Sequence, residues 1–160
     1  MAVLDDFRRI VGVLRRSSRA AQQRLGVTGA QLFVLKTLSL SQSLSLNDLA
    51  ARTRTHQSTV SVVVKRLVES GLVRRAISEV DARSVDLTLT PRGGALLRKA
   101  PDAAQEHLIE GIERLSGLQR KALAASLHGL VRAMGLRDET PAMFFEEEAA
   151  SKRKVRRARD

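Results

Sequence analysis

The sequence predicts a mainly α-helical chain with one small β-hairpin, the α+β arrangement of a winged helix-turn-helix. Three observations predict it. Apolar residues recur every three to four positions along most of the chain, as an amphipathic helix requires. Between Leu72 and Thr90 that period drops to two: Val85, Leu87 and Leu89 alternate with Asp86, Thr88 and Thr90, as in a half-buried strand. A short helical segment, a turn and a longer helical segment come immediately before that change, so the winged unit spans about Ser45 to Thr90.

The first helix carries Leu4, Phe7, Val11, Leu14, Ser18, Ala21 and Leu25 on one face, with arginines between them, and Gly26 supplies its end. The same face would suit a core helix. Its width, this far from the next apolar segment, favours pairing with a second copy. Thr28 starts a second helix, whose buried face holds Leu32, Phe33, Leu35, Lys36 and Leu38. A polar loop follows, from Ser39 to Ser45. Ser45 and Asp48 are spaced as a capping box, with Ser45 accepting from the amide three residues on and Asp48 reaching back. This opens a short third helix to about Thr53. After the turn Arg54 to Gln57, a fourth helix runs to about Ser70 with Val60, Val63, Val64, Leu67 and Val68 inward, and Gly71 closes it. The strands Leu72 to Ile77 and Val85 to Thr90 enclose the charged loop Ser78 to Ser84. Thr90-Pro91 is a threonine cap with proline at the first helical position. The fifth helix carries Leu96 and Leu97 and is kinked or broken at Pro101. The pattern resumes with Leu108, Ile109, Ile112 and Leu115. Ser116 opens a sixth helix, which carries Leu118, Leu123, Leu127, Leu130, Val131 and Met134 and stops at Gly135. The tail from Leu136 holds three glutamates and then the basic run Lys152 to Arg159; it is expected to be partly helical or mobile.

Composition narrows the function. The 160 residues are 43% hydrophobic, enough for a real core, and no apolar run approaches the roughly 18–20 residues of a membrane span. The N-terminus does not read as a signal peptide. The absence of cysteine excludes a disulfide framework, a thiolate nucleophile and a cysteine redox switch, and fits a cytoplasmic location. His56, His107 and His128 are scattered, without metal spacing, a nucleophile partner or a phosphate-cradling glycine loop, so no enzyme, metal or cofactor is expected. The net charge is +11, with the basic excess in residues 1–100 and 151–160 and an acidic stretch between. Solubility alone could account for such a surface, but a polyanion partner accounts for its distribution. Four Phe and no Tyr or Trp leave few platforms for stacking single-stranded bases, which favours duplex DNA over RNA.

The fourth helix fits that partner. A major groove admits a helix whose outward residues are short or flexible. Ser58, Thr59 and Ser61 are short, Gln57 can pair with adenine, and Lys65 and Arg66 lie where a helix leaving the groove meets phosphates. In the hairpin loop, Arg83 suits a narrow minor groove and Asp81 can steady it. Each of these residues alone also fits a solvated surface.

The runs Leu46 to Ala51, Gln57 to Ser61, Arg66 to Arg75, Asp81 to Val85 and Leu89 to Gly93 resemble the MarR family of bacterial transcription regulators. The resemblance covers about residues 4–135. It implies a homodimer joined by the first and last helices on a pseudo-palindromic operator, acting as a repressor, cytoplasmic and nucleoid-associated. In such proteins the fourth helix enters the major groove and the wing the minor groove. The carried-over residues are Ser58, Thr59, Ser61, Lys65, Arg66, Asp81 and Arg83. Two departures stand out. The position after Ser61, often basic in such proteins, is Val62. The turn before the fourth helix, often with glycine and a serine cap, reads Arg54-Thr55-His56, with Thr55 the expected cap and His56 near the DNA. Many relatives release DNA when a small anionic or aromatic effector binds between the dimer helices and the winged unit. Arg15, Arg16 and Arg19 could meet an anion but read better as a solvated face. The expected organisation is a dimer arm at 1–27, the DNA-binding unit at 28–100, a second arm at 101–135 and a charged tail at 136–160. The competing reading is a winged helix that binds DNA without sequence preference, or one that binds other proteins.

Overall fold

The computed structural model describes residues 2–77, 85–101, 103–136 and 140–145. Among these residues the elements run α1 (Ala2–Leu25), α2 (Gly29–Ser39), β1 (Leu44–Ser45), α3 (Leu46–Arg52), α4 (Gln57–Glu69), β2 (Val73–Ile77), β3 (Val85–Leu89), α5 (Pro91–Leu97), α6 (Ala104–Arg114) and α7 (Gly117–Ala133). The predicted winged arrangement is present, and its core is built on α2. Ala30, Leu32, Phe33, Val34, Leu35 and Leu38 are all buried, so α2 is enclosed on nearly every side rather than on one face. Lys36 escapes the core by pairing with Glu106 of α6 at 3.3 Å. Leu49 of α3, Val60, Val63, Val64 and Leu67 of α4, and Leu87 of β3 complete the cluster.

Local chemistry sets each boundary. Thr28 accepts from the Gln31 amide at 3.1 Å while the Gln31 side chain accepts from the Thr28 amide at 2.9 Å, a full capping box. Ser116 and Gln119 repeat it on α7. Ser45 departs from expectation. Its hydroxyl accepts from the Asp48 amide at 3.1 Å, but the Asp48 carboxylate accepts from the Ser45 hydroxyl at 2.6 Å instead of from the Ser45 backbone amide. Thr55 is not the cap of α4. Its hydroxyl pairs with that of Thr53 at 2.9 Å, and His56 takes the cap position with no side-chain hydrogen bond. Arg54 sits at φ +54°, a left-handed conformation that glycine would adopt more easily.

The end of the predicted polar loop, Leu44–Ser45, is strand β1, so the sheet has three antiparallel strands in the order β1-β3-β2. Leu44 pairs with Leu87, and Arg75 faces Leu87 from the other side. Pro101 separates α5 from α6 outright, which gives one helix more than the sequence reading counted. Thr90 caps α5 through the Gly93 amide at 3.0 Å and donates to Gly71 O at 2.8 Å, tying the hairpin base to the end of α4. Gly93 is required there. A Cβ on it would lie 2.2 Å from the Leu72 carbonyl oxygen.

The second half of α1 docks through Leu14, Ser18 and Ala21. Ser18 Oγ accepts from the Gly29 amide at 3.3 Å, and Ser17 Oγ from the Ala104 amide at 3.2 Å. The first half of α1 and the whole of α7 have no buried residue. The segment 140–145 is neither helical nor detached: Met143 is buried in the main core. No helix among the described residues is long and apolar enough to cross a membrane.

Candidate nucleic-acid interface

α4 is amphipathic in the sense a groove-reading helix needs. Val60, Val63, Val64 and Leu67 anchor it on the core through α2 and α3. The opposite side exposes Gln57, Ser58, Val62 and Lys65, with Ser61 half-buried between them and Glu69 exposed at the far end. Residues 58, 61, 62 and 65 follow one another at three- and four-residue steps, so they form a single stripe. The N-cap residue His56 makes no side-chain hydrogen bond to the first-turn amides of α4. Those N–H groups and the helix dipole make that end favourable for an anion such as a phosphate.

The sequence-predicted residues separate into four groups. Ser58, Ser61 and Lys65 share the outward stripe, with Gln57 and His56 exposed at its N-terminal end. Thr59 and Arg66 lie about a quarter-turn away, both half-buried. Thr59 donates to the Pro141 carbonyl at 3.1 Å, so the segment 140–145 covers that flank of α4. Thr55 is half-buried and engaged with Thr53. Asp81 and Arg83, with the whole loop Ser78 to Ser84, fall outside the described residues.

The structure adds cations that sequence reading left in their elements. Arg74 and Arg75 are exposed on β2, the edge strand that leads into the hairpin loop. Their adjacency in an otherwise apolar strand was the available signal. Arg52 donates to Ser41 Oγ at 2.7 Å, and Arg54 pairs with Glu113 of α6 at 2.7 Å. Arg15, Arg16 and Arg19 are exposed on α1, as a solvated face requires.

Where α1, α2 and α6 meet, Leu14, Ser17, Ser18, Gly29, Gln105 and Phe145 line a crevice with a free volume of about 10 Å³. That is room for about one water molecule. Gln105 reaches Phe144 O at 3.5 Å, and its Oε1 is buried without a hydrogen-bond partner among the described residues.

A helix-turn-helix with an antiparallel wing, presenting a short-residue stripe flanked by cations, defines a winged-helix DNA-binding protein. Comparison with known proteins agrees. The MarR family model matches residues 25–84. HTH-type transcriptional repressor Rv2887 of Mycobacterium tuberculosis (strain ATCC 25618 / H37Rv) is 31% identical over 122 residues, 76% of this chain and 88% of that protein. HTH-type transcriptional repressor MdtR of Bacillus subtilis (strain 168) is 37% identical over 73 residues, 46% of this chain and 47% of that protein. The crystal structure of the S. aureus MepR–DNA complex shares the fold with a TM-score of 0.56 at 23% identity, over 80% of this chain and 94% of that one. The chain belongs to the MarR family of DNA-binding transcription regulators.

Proposed function

We propose that the chain is a transcriptional repressor that binds a pseudo-palindromic operator in double-stranded DNA as a homodimer. The observation that carries the reading is the outward stripe of α4. Ser58 and Ser61 are short enough to let the helix backbone approach base edges. Gln57 offers an amide suited to adenine, and Lys65, Arg66, Arg74 and Arg75 supply phosphate contacts. The uncapped start of α4, beside His56, takes a further phosphate. Asp81 and Arg83 retain the minor-groove role that the family resemblance gives them. Repression is supported by the names of the relatives Rv2887 and MdtR.

The dimer is supported by the exposed apolar faces. Val3, Phe7 and Ile10 on α1, and Leu123, Leu127, Leu130 and Val131 on α7, face solvent in a single protomer. Spaced by three and four, they form two stripes with no cover among the described residues, as expected of a seam between copies. In this reading residues 1–27 and 101–135 are the dimer arms, 28–100 the DNA-binding unit and 136–160 a charged tail. A small anionic or aromatic effector would act where the arms meet the reading unit. The crevice there has room for about one water molecule, so such an effector would need its lining to move apart.

Selection of bound sequences from a random duplex pool tests the reading. The expected product is a palindrome with half-sites about one helical turn apart and a steep salt dependence. Equal affinity for the selected and random duplexes would instead leave a non-specific DNA binder. No retention of either duplex would leave a protein-contact module.

A further inference from the structure

Four valines lie in the first eight residues of α4, and three of them, Val60, Val63 and Val64, go into the core. Val62 does not. It is 48% exposed and stands in the middle of the outward stripe, one turn from both Ser58 and Lys65 and beside Ser61. Among the described residues, no packing contact buries Val62. A β-branched side chain is a poorer helix former than the lysine, arginine or glutamine that would suit an exposed site. The bare isopropyl group also leaves apolar area in water. A stripe otherwise made of hydroxyls and a cation thus has one apolar point at its centre.

The chemistry of the groove restricts what that point can meet. Valine has no donor or acceptor, so it cannot pair with the N7, O6, N6, O4 or N4 groups that distinguish the bases by hydrogen bonding. The 5-methyl group of thymine is the apolar group that base edges present in the major groove. Its burial against a branched aliphatic side chain removes both from water, while the flanking Ser58, Ser61 and Lys65 keep the polar and phosphate contacts. A cytosine in its place leaves the isopropyl group against a polar edge.

We propose that Val62 is a specificity-determining residue that selects a 5-methylpyrimidine, thymine in an ordinary operator, at one position of each half-site. The proposal rests on α4 being the groove-reading helix and deepens that reading by naming a feature of the sequence it selects. The same group on 5-methylcytosine offers identical apolar chemistry, so the experiment includes both bases.

The experiment uses the full chain and the duplex it selects from a random pool. Each thymine is replaced singly by deoxyuridine, which removes only the methyl group, and affinity is measured at fixed salt. One thymine per half-site is expected to lose about fourfold on losing its methyl, the worth of one buried methyl-sized group. Losing the methyl in both half-sites should cost about fifteenfold. At that position 5-methylcytosine should bind better than cytosine. Val62→Ala should still bind the duplex but lose most of the difference between thymine and deoxyuridine. Indifference of the wild-type chain to every deoxyuridine replacement, with tight operator binding intact, overturns the assignment and leaves α4 as the reading helix. A sensitivity that survives unchanged in Val62→Ala also overturns it, by placing the methyl against another side chain. Failure to select any sequence over random DNA overturns the groove-reading role itself and the assignment with it.

Discussion

α4 and α7 are helices of comparable length, 13 and 17 residues, with opposite relations to the rest of the protein. α4 buries Val60, Val63, Val64 and Leu67 and turns small polar residues outward. α7 buries nothing, and its leucines at 123, 127 and 130 stand half in water. The first helix completes the code for one folded unit. The second leaves its apolar face without a cover among the described residues. Equal apolar patterning therefore has two meanings, set by whether the same chain supplies the opposing face. In α4 it stabilises the fold; in α7, on the proposed reading, it would make operator binding depend on a second copy.

The largest expected effect breaks the α7 side. Leu127→Glu combined with Leu130→Glu places two carboxylates in the proposed seam. Sedimentation should then show a monomer, and operator affinity should fall by about 10²–10⁴-fold, because two linked half-sites become two independent ones. A dimer that survives the double change would move the seam elsewhere. Next in size is the α4 side. Leu67→Ala deletes a fully buried side chain and should cost about 2–5 kcal/mol in denaturant unfolding. Leu127→Ala, the same chemical change on α7, should cost a dilute monomer only about 0.5 kcal/mol. Equal costs for the two would erase the contrast between the helices.

How much of this was legible in the sequence follows from how local the signal is. The helix faces, the glycine stops at 26, 71 and 135, and the switch of period at the hairpin depend on neighbours a few residues apart, and all are present in the structure. The cap at Ser45 was half legible. Gln31 and Gln119 are long enough to reach back to the cap amide at 2.9 Å. Asp48 is one methylene shorter and meets the serine hydroxyl instead. The strand Leu44–Ser45 is two residues long and exists only because β3 pairs with it across some forty residues of sequence, so no local pattern marks it. The Thr55 hydroxyl is engaged by that of Thr53, whose orientation a pattern does not encode, and His56 takes the cap position instead. For the site, the spacing of Ser58, Ser61 and Lys65 was enough to place them on one face. The burial of Thr59 against Pro141 was not foreseeable, because Met143 enters the core from a tail with no periodicity.

The joint between the regions gives the third effect. Thr90 holds the hairpin base and α5 together through the Gly93 amide and the Gly71 carbonyl. Thr90→Ala should cost about 1 kcal/mol, the usual worth of an N-cap, read in thermal or denaturant unfolding. A neutral result would mean that the Pro91 start alone positions α5.

The smallest effect separates reading from holding within α4 itself. Lys65 is exposed at the end of the outward stripe and, among the described residues, lies outside the hydrophobic core. Lys65→Ala should leave the unfolding midpoint unchanged. Loss of one phosphate contact per half-site should lower the slope of log affinity against log salt by about 0.9 for each half-site. Because a phosphate contact carries no sequence information, the weakening should be the same on the selected operator and on variants of it. Val62→Ala is its counterpart one turn earlier: the salt slope should hold and the base preference should change. If Lys65→Ala altered base preference while leaving the slope intact, the helix would lie deeper in the groove at Lys65 than at Val62. The direction in which α4 crosses the DNA would then have to be reversed.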